Sequence, residues 1–188
     1  QNINDPQVII DAPSIVRNGE DLPVLVMVKD GNQDNACIDY ITINVNNGQF
    51  VYVYDMATTL NEEDNTFETD ERITKEFWYH TFIVPNSNLI NGNNQIDVEV
   101  ERVGVINPFD DCFAAGTNNV ESLTVKKESN QLPKFLNWYC GDTHYHSRYT
   151  NTDFAGTDLG ELGGPIKMTS KSIEAIGLDW FIVTDHSN

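Results

Sequence analysis

The chain has 188 residues, enough to bury a hydrophobic core as one large domain or two small ones without a metal or disulfide for cohesion. Eleven basic residues against 29 acidic ones leave a formal charge of −18, which repels phosphate backbones and anionic lipid surfaces; nucleic-acid and membrane-surface partners are therefore not expected. No apolar run reaches the roughly 18 residues of a membrane span, and no basic-then-apolar leader precedes the first strand.

The chain begins at Gln1 without a Met, the expectation for a mature or trimmed N-terminus, and points to a secreted, periplasmic or cell-surface protein. Cys37, Cys112 and Cys140 allow one disulfide and one thiol, with Cys37–Cys112 among the options, or three thiols. None has the CxxC spacing of a cysteine zinc site.

From residue 7 to about 126 the hydrophobic period is two, as in strands with one buried face. Ile41, Ile43 and Val45 alternate with Thr42 and Asn44, and Ile96, Val98 and Val100 alternate with Asp97, Glu99 and Glu101. Further strands are predicted at 7–11, 22–29, 49–54, 75–84 and 119–126, rich in Val, Ile, Tyr and Phe. Asn18-Gly19, Asp30-Gly31, Asn47-Gly48 and Asn91-Gly92 supply the positive φ of tight turns. Asp30 to Asn35 lacks the spaced carboxylates of a calcium loop and reads as a turn. The acidic stretch 58–72 reads as a long solvated loop. The fold class is mainly β, with an immunoglobulin-like β-sandwich over residues 1–127.

Residues 128–137 form a polar, proline-containing linker, and 138–188 open a second domain. Phe135 to Thr143 is predicted as a strand, Lys167 to Ile176 as a helix presenting Met168, Ile173 and Ile176 with Gly177 as a left-handed cap, and Leu178 to Thr184 as a buried parallel strand.

Three of the four histidines lie in this segment. His144 and His146 are two apart, so in an extended backbone they leave the same face and can reach one ion; His186 follows the second strand, so parallel pairing brings all three to the carboxyl edge. The competing reading of such histidines is as hydrogen-bonded structural groups. Asp142 and Asp185 adjoin them and either orient imidazoles from behind or close turns.

The segments Asp142-Thr143-His144-Tyr145-His146-Ser147 and Gly177 to Ser187 resemble the first two motifs of the polymerase and histidinol phosphatase (PHP) superfamily, nearest its secreted, carbaryl-hydrolase-like branch. The resemblance covers residues 138–188, about a quarter of the chain. It implies the first β–α–β unit of a distorted (β/α)7 barrel, with two or three zinc, iron or manganese ions activating water against a small phosphoester or related ester. It makes His144, His146 and His186 metal ligands. Asn151 and Thr152 stand where the family has an Asp or His, which leaves Asp153 as the substitute ligand and Glu161 as a second candidate. Later motifs are absent, so the remainder of the barrel is expected from the rest of a longer chain or from a second polypeptide.

The alternative is a binding or docking module that recognises a carbohydrate or protein partner, its C-terminal histidines being structural. Trp78, Tyr79, Tyr52 and Tyr54 are the candidates for stacking on sugars, although alternating aromatics in strands more often belong to the core.

Overall fold

The computed structural model describes residues 6–32, 37–67, 72–103, 118–130, 136–150, 153–154, 157–158 and 163–186. Ten strands come first: β1 (Gln7–Asp11), β2 (Ile15–Val16), β3 (Leu22–Lys29), β4 (Cys37–Val45), β5 (Phe50–Asp55), β6 (Leu60–Asn61), β7 (Thr66–Phe67), β8 (Phe77–Val84), β9 (Gly92–Val103) and β10 (Asn119–Lys127). β11 (Gly141–Tyr145), β12 (Asp153–Phe154), β13 (Thr157–Asp158), α1 (Ile166–Ile176) and β14 (Trp180–Val183) follow.

A three-stranded sheet, β1-β3-β8, faces a five-stranded sheet, β2-β10-β9-β4-β5. All pairings in the two sheets are antiparallel except β10 with β2. The period-two pattern sets the faces. Ile41, Ile43 and Val45 of β4 and Ile96, Val98 and Val100 of β9 turn inward with Val24, Val26 and Val28 of β3, Trp78 and Phe82. The intervening Asp97, Glu99 and Glu101 point to solvent, which puts the acidic charge where water hydrates it. Gly19, Gly48 and Gly92 take positive φ at their turns, whereas in Asp30-Gly31 it is Asp30 that does so, at φ 58°.

Cys37 is disulfide-bonded and Cys140 is free and exposed. Cys112, one of the partners that the sequence allows for Cys37, lies outside the described residues.

Two expectations are corrected, for the 58–72 stretch and for β3, and the role of four aromatics is decided. The stretch 58–72 is not simply a solvated loop: β6 and β7 form a small hairpin, Asn61 is fully buried, and the Glu62 carboxylate accepts from the Thr81 N–H at 3.0 Å. Trp78 and Tyr79 are core residues and Tyr52 and Tyr54 pack against the core, the role that strand preferences favour for them over stacking on sugars. β3 is buried on both faces rather than one. Its outward residues Leu25 and Met27 join Tyr79 and Met168, because α1 lies over the outer face of the three-stranded sheet.

The C-terminal elements are thereby fastened to the sandwich. The Arg17 N–H donates to the Ala175 carbonyl at 2.9 Å, and Ala175 belongs to the main core cluster. Lys167 Nζ donates to the Glu62 carbonyl at 3.0 Å. Arg148, buried in an ion pair with Glu63, stacks 4.9 Å from the Phe77 ring centroid and 4.0 Å from that of Tyr149.

Candidate functional site

β11, α1 and β14 form one β–α–β crossover, with β11 and β14 paired in parallel. α1 lacks a side-chain N-cap and ends at Gly177, whose φ of 89° is the left-handed cap its sequence predicts; the Gly177 N–H closes onto Ile173 and Glu174. Met168 and Ala175 are its buried residues, while Ile173 and Ile176 are half-buried. The first strand begins at Gly141, later than the expected Phe135–Thr143. Described residues 136–140 are exposed and irregular instead, since no neighbouring strand pairs with them among the described residues. The second strand is parallel but not buried: Trp180, Ile182 and Val183 are 38%, 49% and 38% exposed. Among the described residues this sheet has two strands only, so nothing covers its outer face.

The carboxyl edge of the pair brings the three histidines together. The His144 and His146 rings lie 4.8 Å apart between centroids, and those of His146 and His186 4.6 Å apart, edge to face. The register between Asp142 and Tyr145 is irregular, and Asp142 Oδ1 accepts from the His144 N–H at 3.0 Å inside that irregularity. Asp185 accepts from the Ser147 N–H and the Ser147 hydroxyl, both at 2.6 Å. These contacts of the two aspartates go to backbone and to Ser147.

The Asp153 backbone lies in β12, paired with β13, and its side chain is outside the described residues, as are Asn151, Thr152 and Glu161. His144 and His186 are exposed and His146 is half-buried. Among the described residues, no three or more His, Cys, Asp or Glu side chains are arranged as a cage around one ion position.

Supporting residues without a signal of charge or periodicity complete the cluster. Ser147 is fully buried, and Thr150 accepts the His186 N–H on its hydroxyl at 3.0 Å. Gly163 runs against the backbone of His146, where a Cβ would fall 1.6 Å from its carbonyl oxygen. The Tyr145 hydroxyl donates to the Gly164 carbonyl at 2.7 Å, and burial pushes its pKa up.

No family model matches the chain, and no curated protein matches it. Among solved structures it is similar to the CARDB domain of a Pyrococcus furiosus protein, crystallised in complex with di-metal ions. The identity is 16%, the match covers 66% of this chain and 93% of that one, and the TM-score is 0.38.

The PHP resemblance does not hold: no family model matches the 138–188 segment or any other part of the chain. The truncated barrel and the phosphoester or ester hydrolase activity inferred from it fall with it. Two histidines at the end of one strand and one at the end of its parallel neighbour are a short pattern, which any such pair of strands can meet. No described helix is long and apolar enough to cross a membrane.

Proposed function

We propose that the chain is a binding module: a β-sandwich platform whose β–α–β unit offers His144, His146 and His186 to a divalent transition-metal ion. The observation that carries this reading is the meeting of three imidazoles from two strands at centroid separations of 4.8 and 4.6 Å. Neutral imidazole is a favoured donor for zinc, copper, nickel and iron. His144 and His186 are exposed, so an ion from solvent can reach their rings. Asp153 is the candidate fourth donor. The strand order of the two sheets follows the immunoglobulin-like pattern used by many cell-surface recognition domains, and the disulfide at Cys37 suits an oxidising compartment.

Calorimetric titration of the metal-free chain with zinc, and with cobalt(II) for its visible spectrum, tests the reading. Uptake of about one ion per chain, abolished by His144→Ala with His146→Ala, is expected. No uptake by the native chain at micromolar concentration assigns the histidines a structural role.

A second reading, docking of a polypeptide segment, is favoured by the uncovered apolar strand β14. It requires the amides of Phe181 to Val183 to exchange hydrogen rapidly in the isolated chain and slowly once a segment binds. Protection there equal to that of β9 in the isolated chain excludes it.

A further inference from the structure

A cleft of about 280 Å³ lies where the sandwich meets the β–α–β unit, between the 11–14 connection and α1. Leu25 and Met168, 2% and 4% exposed, form part of its apolar wall, and Ala12, Pro13 and Ile176 extend it. Two of its hydroxyls are already committed: Tyr145 donates to the Gly164 carbonyl, and Thr169 donates to the Tyr145 oxygen at 2.5 Å. Asp11 is the carboxylate of the lining and is exposed to solvent. One of its carboxylate oxygens accepts the Ala12 N–H at 2.9 Å, and among the described residues no basic side chain pairs with it.

We propose that this cleft binds a small organic cation, an ammonium group seated on Asp11 with its apolar body against Leu25, Met168 and Ile176. The charge of the site is a single carboxylate, which suits an ammonium and falls short of the several oxygens a calcium or magnesium ion gathers. An anion is opposed by Asp11 and by the −18 charge of the chain. The volume sits at the lower limit of small-molecule pockets, so the body is the size of one six-membered ring. Asp11 is exposed to solvent, though partial desolvation against the chain raises its pKa, and a cation beside it favours the charged form. A ligand here touches both the 11–14 connection and α1, and so ties the two parts of the chain together. The site is separate from the three histidines and does not depend on their binding metal.

Cyclohexylammonium is the probe, followed by the methyl resonances of the three methionines in the intact chain, with Met168 assigned by Met168→Leu. A saturable shift of the Met168 methyl is expected with a Kd of about 1 mM, the Met56 methyl in the main core remaining unmoved. Cyclohexanol and cyclohexanecarboxylate bind at least about tenfold more weakly, and Asp11→Asn reduces cyclohexylammonium affinity by about tenfold or more. Three results overturn the proposal: equal binding of the three probes, undiminished binding by Asp11→Asn, or no Met168 shift up to about 10 mM probe. A Met56 resonance unchanged by Asp11→Asn shows that the variant is folded, so lost binding is then read as loss of the carboxylate.

Discussion

Asp185 holds Ser147 with both carboxylate oxygens, one on the backbone N–H and one on the hydroxyl, each at 2.6 Å. The two residues are 38 positions apart and each adjoins a histidine of the cluster, so this clasp sets how His146 and His186 stand to one another. Charge-assisted bonds of this length are stronger than neutral ones, and Ser147 is fully buried. Asp185→Ala is expected to lower stability by about 1–3 kcal/mol. It also weakens zinc uptake, by about tenfold as outer-shell supports of metal sites do. Chemical unfolding and zinc titration of the same variant check both. Unchanged zinc affinity with reduced stability separates the clasp from the binding site.

Arg148 ties the histidine end to the sandwich. Its guanidinium is buried, paired with Glu63 and placed against Phe77 and Tyr149. Removing one partner of a buried pair leaves a charge without compensation, at a cost of roughly 3–5 kcal/mol. Glu63 is 26% exposed at its side chain and water relieves part of that, so Arg148→Ala is expected to cost about 2–3 kcal/mol. Hydrogen exchange then rises in β11 and α1 before it rises in β4 and β9. A double-mutant cycle with Glu63→Gln measures the pair itself.

This contact also explains what local reading misses. The strands of the two facing sheets are legible from alternation and turn residues, because each buries one face and the period records it. The double burial of β3 is not legible, since Leu25 and Met27 read as the outer face of a strand until Met168, some 140 residues later, covers them. The hairpin β6–β7 is hidden for the same reason. Its strands are two residues long, and the basic groups that meet Glu62 and Glu63 are Lys167, Lys171 and Arg148. The meeting of the three histidines at one sheet edge follows from parallel pairing, which the crossover predicts. Ser147, Thr150 and Gly163 carry no periodic or charge signal and emerge only with the tertiary contacts.

Met168 and Ile182 are both apolar residues of the β–α–β unit and differ in what covers them. Met168 is 4% exposed among Leu25, Met27 and Tyr79, while Ile182 is 49% exposed. Met168→Ala is expected to cost about 2–4 kcal/mol through lost burial and the cavity left behind. Ile182→Ala is expected to change stability by less than about 0.5 kcal/mol in the isolated chain. Denaturant midpoints with unchanged slopes check the contrast. A large effect of Ile182→Ala indicates that β14 is covered in solution, by self-association or otherwise, and sedimentation at two concentrations tells which.

Tyr79 gives the fold a response to alkali. Burial, and then the neighbouring Glu63 and Glu62, push its pKa up to about 12, from an ordinary 10.0. Its hydroxyl donates to the Glu62 carbonyl at 3.1 Å, a bond the phenolate cannot make. The folded state therefore holds the proton more tightly than the unfolded chain. The associated stability is fully present below pH 10 and declines as pH rises from about 10 to about 12. Stability measured across that interval is expected to fall in the native protein and to fall less in Tyr79→Phe, which has no proton to lose there. Absorbance at the phenolate band should show an ionisation near pH 12 in the native protein that is missing in Tyr79→Phe. Equal alkaline slopes for the two proteins assign the loss to other groups and remove Tyr79 as its source.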